Sequence, residues 1–273
     1  MLYEIIRMIR YYRNVCPKIN KKVMQSIQHG SQFLASTLLA CLVAVFITIL
    51  SILFPLTSLA STETVDVSNN DCASSGSSQT ESSLRHFAIG IVSVSGNGAD
   101  WAKNSCLGSE IHHFNSYALY VSTNYPSSGC HTSQNRANAY NCGYNLGLFD
   151  VGYAASKGAH SNTWFLDVEG GPGSGIPWST HSLDSSFLYG LASSLQTRGV
   201  TVIGYYSTAS MWQSITGGWH SGNYAWYATG ANGMPPSSVV RSACHNNFTG
   251  GPVVYYQYII GGLASGIDYD GSC

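Results

Sequence analysis

Beyond residue 61 the chain repeats one rhythm: a short run rich in Val, Ile, Tyr and Trp, then a helical or loop segment. Such runs, bounded by Gly, Asn or Ser, have the length and composition of strands. They fall at residues 64–68, 87–95, 117–123, 163–169, 200–207, 224–229, 252–260 and 266–269. Two of the intervening segments carry helical periodicity. One spans 144–157, with Leu148, Val151 and Ala155 on one face, and stops at Gly158. The other starts at Ser182 as N-cap, runs through Leu188, Leu191 and Leu195, and stops at Gly199. Glycine just past each end supplies a left-handed C-cap. Strands alternating with helices imply parallel pairing. Eight strands in about 210 residues predict an α/β fold, a (β/α)8 TIM-type barrel with several helices shortened to loops. An open doubly wound sheet is the alternative, but no G-x-G-x-x-G follows the first strand. Residues 74–83 (SSGSSQTESS) read as an exposed loop, and neither a second domain nor an internal repeat is visible.

The first sixty residues are of another kind. Residues 33–60 carry no charge and follow a basic segment, 1–32, that holds Arg7, Arg10, Arg13, Lys18, Lys21 and Lys22. This is the pattern of a signal peptide, with Ser58 and Ala60 at positions −3 and −1, or of an uncleaved membrane anchor. Both place residues 61–273 outside the cytoplasm, secreted or tethered, with the membrane touched only through the N-terminal segment. The remainder carries six basic and twelve acidic side chains, so it lacks the basic face that nucleic acid requires. It also holds all six Trp, which disfavours disorder.

Cysteine usage agrees with export. Cys16 and Cys41 belong to the N-terminal segment, leaving Cys72, Cys106, Cys130, Cys142, Cys244 and Cys273. Six allow 15 connectivities. Closure of local loops in chain order predicts Cys72–Cys106, Cys130–Cys142 and Cys244–Cys273. No C-x-x-C occurs and the histidines show no ligand spacing, so no metal and no cofactor is expected. Neither a P-loop nor a G-x-S-x-G element is present.

With so few acids, their positions are informative. Glu63, Asp71, Glu81, Asp100, Glu110, Asp150 and Asp184 stand in loops or at helix starts and read as solvated surface charges. Asp167 and Glu169 end an apolar strand in TWFLDVEGG. Residues i and i+2 share one face of a strand, which sets their Cβ atoms roughly 6–7 Å apart. Strand C-termini line the mouth of a (β/α)8 barrel. Burial and like charge there should raise one carboxyl, expected to be Glu169, and leave Asp167 ionised. Glycoside hydrolysis needs that division. Asp66 and Asp268 sit at the ends of the first and last strands, which are neighbours in a closed barrel. Strand alternation turns Tyr120, Tyr206 and Trp226 inward, either to stack on sugar at the mouth or as ordinary barrel core.

On these residues the chain resembles the glycoside hydrolase family 25 lysozymes (muramidases). Asp66–Ser68 is similar to that family's Asp-x-Ser element on its first strand, Asp167–Glu169 to its Asp-x-Glu on the fourth, and Asp268 to its late Asp. GYYS at 204–207, AWYA at 225–228 and YQY at 256–258 resemble its Gly-x-Tyr-Ser, Trp-x-Ala and Trp-Gln-Tyr strands. The likeness spans residues 64–270. It implies Glu169 as general acid/base, Asp167 as stabiliser of positive charge or orienter of an acetamido group, and Asp66 with Asp268 as the rest of an acidic floor. Gln257 joins the aromatic residues as a substrate contact. The implied activity is hydrolysis of β-1,4 bonds in peptidoglycan by a monomer. The chain departs from the family where Asn69 and Asn70, rather than an aromatic–Gln pair, follow Ser68, and in its Ser-rich loop and six cysteines. A surface module that binds wall glycan with little catalysis is the alternative in a different class.

Overall fold

The computed structural model describes residues 64–68, 87–96, 99–125, 130, 135–170, 176–260 and 267–273. All belong to one compact unit, Ser61–Cys273. Segments 1–32 and 33–60, the Ser-rich stretch and Cys72 lie outside the described residues. Among the described residues no helix is long and apolar enough to cross a membrane.

The strands are β1 (Thr64–Val67), β2 (Ile89–Ser93), β3 (Ser95–Gly96), β4 (Ala99–Lys103), β5 (Ser116–Ser122), β6 (Thr163–Asp167), β7 (Val202–Ser207), β8 (Tyr224–Asn232), β9 (Val253–Ile259) and β10 (Ile267–Ser272). The helices are α1 (Leu107–Glu110), α2 (Arg136–Ser156), α3 (His181–Thr197), α4 (Ala209–Thr216) and α5 (Ser237–Cys244). Eight strands close into a barrel in the order β1-β10-β9-β8-β7-β6-β5-β2. Every strand expected from the sequence contributes one stave, and α1, α4 and α5 are short, as a TIM-type barrel of this length requires. The β3–β4 hairpin was not expected. It is tied to the barrel where the Ser95 hydroxyl accepts from Ser122 N at 2.7 Å.

One stave departs from strict (β/α)8 topology. β10 runs antiparallel to both β1 and β9, whereas the other pairings around the barrel are parallel. Only residues 260–266 join β9 to β10. A parallel return needs a crossover of a dozen or more residues, so so short a link forces reversal.

Two apolar layers hold the barrel. Ile91, Ala118, Tyr120, Phe165, Tyr206 and Trp226 fill the interior. A larger cluster, including Leu119, Trp164, Leu166, Phe187, Leu191 and Leu195, seals the outer wall against the helices. Phe187 is fully buried, and its truncation to Ala would cost about 3–5 kcal/mol. The α2–α3 contact is close because a Cβ at Gly143 would overlap the Phe187 carbonyl, and one at Gly190 the Tyr140 carbonyl.

Helix ends follow sequence chemistry with two exceptions. α2 and α3 both close with Gly in the left-handed region, Gly158 (φ 75°) and Gly199 (φ 89°). Ala159 N bonds Ala154 O at 2.9 Å and Val200 N bonds Leu195 O at 3.1 Å, the six-to-one closure of a Schellman motif. α2, however, starts at Arg136, well before the expected 144, because the Asn135 side chain accepts from Asn138 N. Its first turns are polar, so periodicity could not reveal them. α3 starts after Thr180 rather than at Ser182. Disulfides join Cys130 to Cys142 and Cys244 to Cys273, with Cα separations of 5.6 and 5.4 Å. Cys106 is also disulfide-bonded. Its expected partner Cys72 lies outside the described residues. The 29-residue separation of Cys244 and Cys273 corresponds to about 3.5 kcal/mol in the chain-entropy view, and it pins the strand that ends the chain.

Candidate active site

The backbone of Asp167, Val168 and Glu169 is clamped where β6 ends. Asp167 O accepts from Thr123 N at 3.0 Å and from the Thr123 hydroxyl at 2.5 Å. Val168 N donates to Tyr206 O at 2.9 Å, and Val168 O accepts from the Ser207 hydroxyl at 2.8 Å. Glu169 O accepts from Trp178 Nε1 at 2.8 Å. Three neighbouring segments thus fix the two carboxyls, so their aim does not depend on loop conformation.

Asp66 and Asp268 face each other directly across the β1–β10 pair. Gln257 on β9 binds both: its Nε2 donates to Asp66 Oδ2 at 2.8 Å and to Asp268 Oδ2 at 3.3 Å. Its Oε1 accepts from the Tyr206 hydroxyl at 2.5 Å. Acceptors on one side of the amide and a donor on the other fix its orientation. The four acids singled out in the sequence therefore meet at one mouth.

A fifth joins them. Asp270 lies two residues along β10 from Asp268, so it shares its face, and the antiparallel run carries it one layer deeper, opposite Thr64. It is 3% exposed, and its Oδ1 accepts from Trp226 Nε1 at 2.6 Å. Burial pushes the Asp270 carboxyl well above the usual range, with the Asp66 charge adding to the effect and the Trp226 bond opposing it. The nearby Asp66 carboxyl and the Asp268 charge also act upward. The second oxygen of Asp270, Oδ2, is buried and has no hydrogen-bond partner among the described residues. Sequence reading passed over Asp270, although its spacing from Asp268 repeats that of Asp167 and Glu169.

Electrostatics at the mouth is collective. Burial raises Asp167 well above the ordinary range, with Glu169 and Asp66 adding and the Ser122 hydroxyl opposing. Burial and Asp268 raise Glu169, and the nearby Tyr206 hydroxyl opposes them. Burial raises Asp268 too. No Lys or Arg among the described residues is among the groups acting on these acids. The expectation that Glu169 alone would rise while Asp167 kept an ordinary value is therefore corrected: both rise, and Asp167 rises further because it sits deeper in the barrel. Tyr206 is pushed far up by burial and then by the charges of Glu169, Asp167, Asp66 and Asp268, so it remains a neutral hydroxyl. Asp167 Oδ1 is buried and has no partner among the described residues.

The residues expected to stack on sugar are placed lower. Trp226 is 1% exposed and packs against Tyr206, Phe165 and Tyr120 at centroid distances of 4.5, 5.5 and 5.9 Å. Tyr120, Tyr206 and Gln257 are buried as well. They form the floor beneath the acids. Trp178, in the segment before α3, is the partly exposed ring beside Glu169, and sequence reading did not single it out. Three acids read as surface charges are also corrected. Glu110, Asp150 and Asp184 are each 1% exposed. Glu110 accepts from Asn104 Nδ2 at 2.6 Å, and Asp184 accepts from Ser179 N at 2.9 Å. Burial raises Asp184 to about 7, with that backbone bond opposing. No group of three or more His, Cys, Asp or Glu among the described residues is placed to hold a metal ion.

No protein-family model matches the chain, and no curated protein sequence matches it. Solved structures do. A muramidase from Trichobolus zukalii aligns over 78% of this chain and 93% of its own, with TM-score 0.52 and 13% identity. A bacterial lysozyme from Streptomyces coelicolor aligns over 78% and 92%, with TM-score 0.45 and 15% identity. A family 25 glycosyl hydrolase from Bacillus anthracis aligns over 79% and 90%, with TM-score 0.46 and 10% identity. The chain, a closed eight-stranded barrel, shares its fold with the muramidase.

Proposed function

We propose that the chain is an exported glycoside hydrolase that cleaves β-1,4 bonds of peptidoglycan. The observation that carries the reading is the convergence of Asp66, Asp167, Glu169, Asp268 and Asp270 on one mouth of a muramidase-like barrel, without a cation among them. Glu169 is the proton donor to the leaving oxygen. It stands beyond the end of β6, beside the partly exposed Trp178, and its raised affinity for a proton keeps it loaded. Asp167 faces the anomeric centre, where in its carboxylate form it is the counter-charge to the positive charge that develops. Its unpartnered Oδ1 suits an acetamido N–H. Gln257 holds Asp66 and Asp268 as a negative floor, and Tyr206 links that floor to Glu169.

Export is supported by the disulfides, which persist in oxidising compartments. The N-terminal segment then acts as a cleaved signal or as a tether for the domain 61–273, working as a monomer. N-terminal sequencing of protein recovered outside the cytoplasm separates signal from tether. Turnover of soluble peptidoglycan fragments by the full-length protein, compared with Glu169→Gln, tests the chemistry. Glycan binding without turnover in either protein would leave a binding module in place of an enzyme.

A further inference from the structure

A second concave feature lies on the outside of the barrel. A groove of about 490 Å³ runs along the outer face of α3. Ser182, Ser185, Tyr189 and Gln196 line it at helical spacing, so it extends roughly 21 Å, long enough for several sugar rings. The opposite wall is Trp219, His220 and Asn223, from the segment between α4 and β8. It exists because α4 is only 8 residues long and leaves the flank of α3 uncovered.

Its chemistry is unlike that of an ordinary solvated helix face. Tyr189 is 58% exposed, the most exposed aromatic ring among the described residues. It is propped by Tyr140 at 5.7 Å and Trp219 at 6.4 Å, centroid to centroid. A ring held rigidly in water by other rings offers a flat apolar face at little entropic cost. Hydroxyls and the amides of Gln196 and Asn223 surround it, as sugar hydroxyls require. Arg136 and His220 are the ionisable groups of the lining besides Tyr189, and no carboxylate is present. Peptidoglycan strands carry peptide carboxylates, which suit a groove lined by Arg136 and by no carboxylate.

We propose that the α3 groove is a non-catalytic binding site for an anionic glycan strand, which holds the wall polymer while the mouth acts on it. The assignment rests on the peptidoglycan reading above. Tethering by a second site raises the local concentration of substrate at the first without new contacts there. Tyr189 supplies the stacking face, and Arg136 supplies the charge that selects an acidic strand over a neutral one.

The test uses full-length protein, insoluble peptidoglycan sacculi, chitin as a neutral polymer, and a short soluble peptidoglycan fragment. Tyr189→Ala should weaken co-sedimentation with sacculi roughly tenfold, the effect of removing a central aromatic contact. It should leave turnover of the soluble fragment unchanged. Arg136→Gln should weaken binding to sacculi and spare binding to chitin. Thermal unfolding should match wild type, since both side chains are exposed. Unchanged sacculus binding in both variants overturns the groove, whatever the turnover. Tyr189-dependent binding with no turnover in any protein keeps the groove and removes the enzyme.

Discussion

The mouth of the barrel and the groove along α3 handle charge in opposite ways. At the mouth, five carboxyls project from strands or just past a strand end into a largely buried space, where burial and neighbouring acids make them harder to ionise. In the groove, Arg136 and His220 are exposed on a helix and a loop, open to water and salt. Buried charges titrate as one coupled set, while exposed charges act singly and are screened within about 8–10 Å at ordinary ionic strength. On the proposed reading, chemistry falls where carboxyls are buried and coupled, and polymer retention where charge is exposed.

The sharpest break in this comparison is Glu169→Gln. It should lower turnover of soluble fragments by about 10²–10⁴-fold and leave sacculus binding intact. In the wild type, turnover should fall as pH rises past the elevated Glu169 value, since the deprotonated form cannot donate. Loss of both functions together would show that the two regions are not independent.

Asp270 offers the next largest effect, read as stability. Asp270→Ala leaves Trp226 Nε1 buried without an acceptor and should cost about 1–3 kcal/mol in denaturant unfolding. Asp270→Asn keeps that acceptor and is neutral like the protonated acid, so at acid pH it should match wild type. The folded-state affinity of Asp270 for its proton lies above the unfolded value. Its stabilising contribution is therefore full at acid pH and lost as pH rises through the folded value. Wild type should accordingly fall below Asp270→Asn on the alkaline side. Parallel pH curves for the two proteins would show that folding does not raise the affinity of Asp270 for its proton.

Asp184 provides the same test outside the mouth. Its value rises from 3.8 to about 7, so its contribution to stability is present below pH 3.8 and is lost as pH climbs towards 7. Asp184→Asn should flatten that slope in thermal unfolding while turnover stays as in wild type. The smallest expected effect is that of salt. Raising ionic strength should weaken sacculus binding a few-fold through Arg136, and leave turnover of short fragments nearly unchanged.

The sequence showed much of the barrel and less of the site. Strand runs were legible because β-branched and aromatic residues cluster locally, and all eight were found. The reversal of β10 was also written in the short link after β9, but the alternating rhythm had been extended to a final parallel strand. That reversal matters to the site. A parallel last strand would bring its late residues towards the mouth; the antiparallel one raises Asp268 and sinks Asp270 beside Trp226. Glu110, Asp150 and Asp184 were misread because nothing local distinguishes an acid on a covered helix face from one in water.

The sequence by itself determined what short stretches can specify: strands and helices, the glycine stops of α2 and α3, and the Asp167–Glu169 pair at a strand end. Those depend on residues a few positions apart, whose steric and hydrogen-bonding preferences act at any stage of folding. Only the tertiary structure decided which acids gather at one mouth, that Gln257 clasps Asp66 across 191 positions of chain, and that Trp226 is a buried ring bonded to Asp270. Protonation and burial are set by distance in space, and barrel closure brings into contact groups whose order along the chain carries no record of it.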